Sequence, residues 1–245
     1  MWAVTVKQPL TSAKRIKLAP IKAQPSLSHT IYDTLKKAIT APNIYADDAE
    51  LRLDERELSD RLQISRTPIR EALARLEQEG LVRIVPRKGV FIIRKSRQEI
   101  LEMILVWAAL ESMAARLLTT LATDEEIASL RTMFATFNDN EIRVQIDEYS
   151  ETNIKFHQRI LELARTPLLT KITDGLFIHM QAIRARTISE GDRVTRSIVD
   201  HYHIIEALEA RDAELAERLV REHSLNLYAH VEQTWVEEES GVNAA

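Results

Sequence analysis

The 245-residue chain has no cysteine, five glycines, seven prolines and 5% aromatic residues. Without thiols there can be no disulfide, no cysteine-ligated zinc and no thiol nucleophile. That agrees with a reducing, cytoplasmic setting. Few glycines and prolines exclude a collagen-like or low-complexity chain. Long apolar runs are also missing. The longest, Met103 to Leu110, is far too short to cross a bilayer, so no membrane partner is expected. The opening stretch MWAVTVKQPLTSAKRIKLAP lacks the apolar segment of a signal peptide, and no export is expected.

The chain does have 45% hydrophobic residues, enough for a core, and 29% charged residues. The net charge of −4 conceals an asymmetry. Residues 1–97 hold 19 Lys+Arg against 11 Asp+Glu, a balance of +8, and residues 98–245 hold 14 against 26, a balance of −12. A basic front and an acidic back suit a chain of which one part faces phosphate.

Residues 1–25 read as a flexible basic arm carrying Lys7, Lys14, Arg15, Lys17 and Lys22. Helical spacing of Ile31, Leu35, Ala38 and Ile39 predicts a helix over about 27–41, followed by an acidic loop over 43–50. Asp54 and Glu57 form a capping-box pattern, with Leu53 and Leu58 at the staple positions. The helix they start ends near Gln63. Ser65 caps the next helix, with Pro68 in its first turn and Gly80 at its end. Ile69, Leu73 and Leu76 form its buried stripe, which leaves Arg66, Thr67 and Arg70 outside near its start. The β-branched runs Val82–Val85 and Val90–Ile93 flank Pro86–Arg87–Lys88–Gly89 and predict a two-stranded ribbon with a basic tip. Two short helices and such a ribbon are the layout of a winged helix-turn-helix.

Residues 98–238 carry almost no strand signal. Six helices are predicted, at about 98–121, 124–139, 142–164, 167–188, 192–210 and 212–236, packed as an antiparallel bundle. The fold class is therefore mainly α. The domains are an arm (1–25), a winged helix-turn-helix (26–95), a helical bundle (96–238) and a tail (239–245). Asn153 and His157, four apart, share a helix face. With His201 and His223 from two further helices they could enclose a divalent cation, zinc, nickel or manganese, with open positions. Spacing alone is a weak signal and favours a purely structural reading of these histidines. His29, His179, His203 and His230 have no spacing argument and are taken as structural.

The segments ERELSDRLQISRTPIREALARLEQEGLV and PRKGVFI resemble the DNA-binding domain of the GntR transcription regulators. ALESMAARL (109–117), NIKFHQRIL (153–161) and DHYHIIEALEARDAELAERLVREH (200–223) resemble the FCD effector domain of the FadR-like branch, in its shorter six-helix form. The resemblance implies DNA contacts by Arg56, Arg66, Thr67, Arg70, Lys88 and the wing-tip Gly89. It also implies a metal held by Asn153, His157, His201 and His223. Asn153 falls where many members have Asp, which implies a less charged site. Trp107 stands where many relatives carry an arginine that can pair with an acidic effector. An organic acid would then need another cation, Arg159, Arg184 or Arg186, unless the effector is more apolar.

The expected function is a ligand-responsive repressor, not an enzyme. It would bind a palindromic DNA operator as a homodimer and answer to a small-molecule effector in a pocket that includes Trp107, Arg159 and Arg184. The rivals are a metal-dependent hydrolase built on the three histidines, and a helical dimer in which they are structural.

Overall fold

The computed structural model describes residues 27–40, 44–45, 49–135 and 146–235. The predicted basic arm, half of the acidic loop and the C-terminal tail lie outside these residues. The elements run α1 Leu27–Thr40, β1 Arg52–Leu53, α2 Glu55–Leu62, α3 Arg66–Gln78, β2 Val82–Val85, β3 Gly89–Ile92, α4 Arg97–Leu121, α5 Asp124–Met133, α6 Ile146–Leu163, α7 Pro167–Thr187, α8 Arg193–Glu209 and α9 Ala213–Thr234. Among the described residues the protein is mainly helical, with one small sheet, as its residue pattern predicts.

In the N-terminal part, α1 buries Ile31, Tyr32, Leu35 and Ile39 against Ile69, Leu73 and Leu76 of α3. The ribbon closes this core with Val82 and Val90, which are fully buried. The sheet has three strands in the order β1-β3-β2, not two. The third is only Arg52–Leu53, paired antiparallel with Phe91 and Val90. Two residues carry no alternating pattern, so nothing in the chain's periodicity announces this strand. Two predicted caps also differ. Asp54 accepts from the Arg56 and Glu57 amides, but Glu57 pairs with Arg61 and does not return to the cap. Ser65 stands at the N-cap of α3 without a side-chain bond. Reciprocal capping boxes occur instead at Ser96–Glu99 and Thr123–Glu126, which fix the starts of α4 and α5.

Helix α4 forms the axis of the C-terminal bundle. Ile104, Trp107 and Leu118 are fully buried along it, and its most extensive packing is against α9. α6, α7 and α8 surround the same core, with Phe134 and Phe156 between them. The predicted breaks hold at Pro167, the first residue of α7, and at Gly191 and Arg211, both with positive φ. α5 ends at Met133, earlier than predicted, and the expected 134–139 extension falls partly outside the described residues.

The two parts meet at Ile44 and Tyr45, each 3% exposed. Tyr45 sets its ring edge-on to Trp235, centroids 5.2 Å apart. Its carbonyl accepts from Arg186 Nη1 at 3.0 Å, and the Ile44 carbonyl accepts from Arg94 Nε at 2.7 Å. The Tyr45 hydroxyl accepts from the Lys95 amide at 3.4 Å and lies 3.2 Å from His179 Nδ1. While its oxygen accepts from Lys95, the Tyr45 hydroxyl can donate its proton to Nδ1 of a neutral imidazole. Burial accordingly lowers His179 to a pKa of about 4.

Candidate nucleic-acid interface and metal centre

Helix α3 buries Ile69, Ala72, Leu73 and Leu76 and therefore turns its opposite face out. Arg66, Thr67 and Arg70 are exposed on that face, in the first turns. Arg56 is exposed at the start of α2. Arg70 Nε donates to Glu55 Oε2 at 2.7 Å, an exposed pair worth little energy but enough to restrict the guanidinium's direction. At the wing tip the Lys88 amide closes a turn onto the Val85 carbonyl at 3.0 Å, with Arg87 and Lys88 exposed. Gly89 has φ +118, and a β-carbon there would lie 3.3 Å from Arg52 Nε. This position needs glycine for both reasons. The sequence-predicted DNA residues are thus exposed at the starts of α2 and α3 and at the wing tip, with Gly89 half-buried.

The second site lies inside the bundle. Asn153 and His157 come from α6, His201 from α8 and His223 from α9, and all four are buried. One ring nitrogen from each histidine lies within 4.8 Å of the others. The surroundings settle the tautomers. Arg184 Nη1 is 2.6 Å from His157 Nε2, so that nitrogen presents a lone pair. The His157 proton is then on Nδ1 and is donated in a short bond to Glu111 Oε1. His223 Nδ1 donates to Asp200 Oδ2 at 3.0 Å, leaving its Nε2 facing the same Arg184 Nη1 at 3.4 Å. Tyr149 gives its hydroxyl proton to Ser197 Oγ at 2.8 Å, so it accepts from His201 Nδ1 at 3.2 Å. His201 Nε2 is buried with no hydrogen-bond partner among the described residues. Three Nε2 lone pairs therefore converge, each fixed by an oxygen on the far side of its ring. This is how metal-ligating histidines are oriented. The Asn153 amide oxygen lies 3.1 Å from His157 Nε2. Two acceptors face one another there, an arrangement that a shared cation relaxes. By donor type, tautomer and the orphaned His201 Nε2, these residues fit a divalent metal.

Electrostatics point the same way. Burial holds His157 and His201 well below the ordinary imidazole range, and neighbouring positive charge adds to it. Burial also lowers His223, against the pull of Asp200. All three are neutral, as ligands must be. Glu111 is fully buried, and desolvation pushes its carboxyl up, opposed by Arg184 and His223.

The remaining pocket candidates separate. Trp107 is buried and donates from Nε1 to Glu111 Oε2 at 2.7 Å, so it touches the carboxylate that holds His157. Arg184 is in the centre itself. Arg159 lies on the outside of α6, paired with Glu162 at 3.1 Å, and does not meet the others. Arg186 belongs to the Tyr45 contact. Sequence reasoning missed Glu111, Asp200, Tyr149 and Ser197. Glu111 had a signal: it lies on the helical stripe of Ile104, Trp107, Ala115 and Leu118, where a carboxylate needs a buried partner.

A winged helix-turn-helix joined to a helical bundle with a convergent internal site defines a DNA-binding regulator with a sensing domain. The family model "Bacterial regulatory proteins, gntR family" matches residues 27–92, and the FCD domain model matches residues 102–226. The chain belongs to the GntR family of bacterial transcription regulators, in the branch with an FCD domain, whose members bind DNA operators and small-molecule effectors. It is similar to the HTH-type transcriptional repressor RspR of Escherichia coli K12, 25% identical over 181 residues, covering 74% of this chain and 79% of that one. It is also similar to the Nta operon transcriptional regulator of Aminobacter aminovorans, 36% identical over 120 residues, covering 49% and 57%. The structure of E. coli McbR/YncC superposes with a TM-score of 0.69, 21% identity and coverage of 87% of this chain and all of that one, which shows the shared fold.

Proposed function

We propose that the chain is a homodimeric repressor that binds a palindromic operator and is released by a small anionic effector at a metal-containing centre. The winged part, about 26–95, is the output, and the bundle, about 96–238, is the input. The observation that carries this reading is the convergence of three lone-pair-bearing imidazoles inside a bundle tied to a DNA-reading surface. Arg66 and Arg70 read base edges or grip phosphate, Arg56 and Thr67 support them, and Lys88 and Gly89 place the wing on the backbone. Repression is favoured by the similarity to RspR. A role on DNA supports a cytoplasmic setting. Among the described residues no helix is long and apolar enough to cross a membrane.

Asn153, His157, His201 and His223 would hold the metal. Bound there, it would offer open coordination positions to an oxygen ligand. The chain's own residues supply the rest. Arg184 Nε and Nη2 and Arg193 Nε are buried donors without hydrogen-bond partners. A small cleft of about 30 Å³ reaches His223 between Arg193, Ser197 and Asp200. Unpaired buried guanidinium N–H groups call for an acceptor with negative charge, which supports an organic acid. Trp107 acts indirectly, by holding Glu111 through its Nε1–H. An enzyme is not favoured, because Glu111 and Asp200 are both engaged at imidazole Nδ1 atoms and neither is placed as a general base.

The test is operator binding by fluorescence anisotropy together with metal analysis of untagged protein. Arg66→Ala and Arg70→Ala should each weaken operator binding by about 1–3 kcal/mol with unchanged melting temperature. Wild-type affinity in both variants would remove the recognition-helix assignment. Purified protein with neither stoichiometric metal nor metal uptake would remove the centre from the mechanism.

A further inference from the structure

We infer that Arg184 and a divalent cation are alternative occupants of the three-histidine centre, so that the protein carries its own competitor for the metal. This rests on the metal reading above. Each neutral imidazole offers one lone pair at Nε2. That of His157 is taken by Arg184 Nη1 at 2.6 Å, and that of His223 lies 3.4 Å from the same nitrogen. A zinc-like cation sits about 2.0–2.1 Å from an imidazole nitrogen, along the same lone pair. Such a position overlaps Nη1. The two occupants are also both positive, in surroundings with little water to screen them. The guanidinium must therefore leave His157 and His223 before a cation can be held.

His201 behaves differently. Its Nε2 has no partner, so Arg184 leaves one of the three ligands open as a first point of capture. Arg184 also has a destination. Its Nη2 lies 3.8 Å from Glu111 Oε2, beyond hydrogen-bond length, and closing that gap gives it a direct carboxylate bond. In this arrangement one guanidinium meets two buried imidazoles at once. A cation has to displace it, which weakens apparent metal affinity.

The experiment is calorimetric titration of Zn²⁺ and Ni²⁺ into chelator-stripped, full-length protein. Arg184→Met should bind at least tenfold more tightly than wild type. Arg184→Lys, which keeps the charge on a shorter and less branched head, should fall between the two and serves as the informative variant if Arg184→Met fails to fold. His201→Ala should weaken binding in every background. A merely structural Arg184 predicts the opposite sign, with affinity falling alongside melting temperature. Wild-type protein that binds metal as tightly as the Arg184 variants, or more tightly, overturns the competition and leaves the metal reading standing. No binding by any of these proteins overturns both.

Discussion

Glu111 shows how one residue's environment decides its task. An isolated carboxylate at this depth would neutralise itself. Here it accepts from His157 Nδ1, Trp107 Nε1 and Ser224 Oγ, and Arg184 lies 3.8 Å away. Glu111→Gln keeps the shape but loses the charged acceptor that sets the His157 tautomer. Metal affinity should fall about 10–100-fold in a chelator-competition assay, as for other outer-shell partners of ligating histidines. Undiminished affinity would show that His157 does not depend on this carboxylate. The four candidate ligands were named from the chain, Asn153 and His157 by their shared helix face and the full set by the family resemblance, and the structure brings them together. Their supports were not legible there, because Asp200, Tyr149 and Ser197 reach their partners only through the mutual packing of α6, α8 and α9. No spacing within one helix encodes that packing.

At the scale of elements, the wing and α7 carry separate predictions. Gly89→Ala forces a side chain into φ +118 and within 3.3 Å of Arg52 Nε. It should cost about 1–3 kcal/mol in thermal stability, and operator affinity should fall with it. On α7, His179 has its pKa lowered to about 4 by burial, against an ordinary value of 6.5. The unfolded chain therefore binds a proton here that the folded chain refuses between these values. The stability contributed by neutral His179 is complete above about pH 6.5 and is lost as pH falls toward 4. His179→Gln should flatten part of the fall in melting temperature over that window, and an identical slope in both proteins would contradict the assignment. Element boundaries were readable where chemistry marks them: Gly80 just past the end of α3, and the predicted start at 167, where Pro167 opens α7. They were not readable at β1, whose two residues exist as a strand only because β3 offers Val90 and Phe91 as partners. The Asp54–Glu57 box was read from the chain and does not form: Asp54 caps α2, while Glu57 pairs with Arg61 one turn on.

Across the whole molecule, the charge split places +8 on the reading side and −12 on the sensing side, which favours one orientation toward DNA. What joins the sides is a contact from a short loop segment, Ile44–Tyr45, seated against α7 and Trp235. Tyr45→Ala removes a fully packed ring and should cost about 3–5 kcal/mol, by analogy with other buried aromatic truncations. Two separated unfolding transitions in calorimetry, in place of one, would be the sign that the parts have uncoupled. A single transition at the wild-type temperature would show that the seat contributes nothing.

The same seat changes how this protein can be recombined. The obvious place to cut between reader and sensor is around residues 94–98, where the wing gives way to α4. A chimera cut there takes Tyr45 with the reader but leaves His179, Arg186 and Trp235 with the sensor. A foreign sensor must then supply a socket for a tyrosine it has never met. Exchanges that transplant Ile44–Tyr45 together with the bundle keep plug and socket matched, although His179 and Arg186 lie 134 and 141 residues from Tyr45 along the chain.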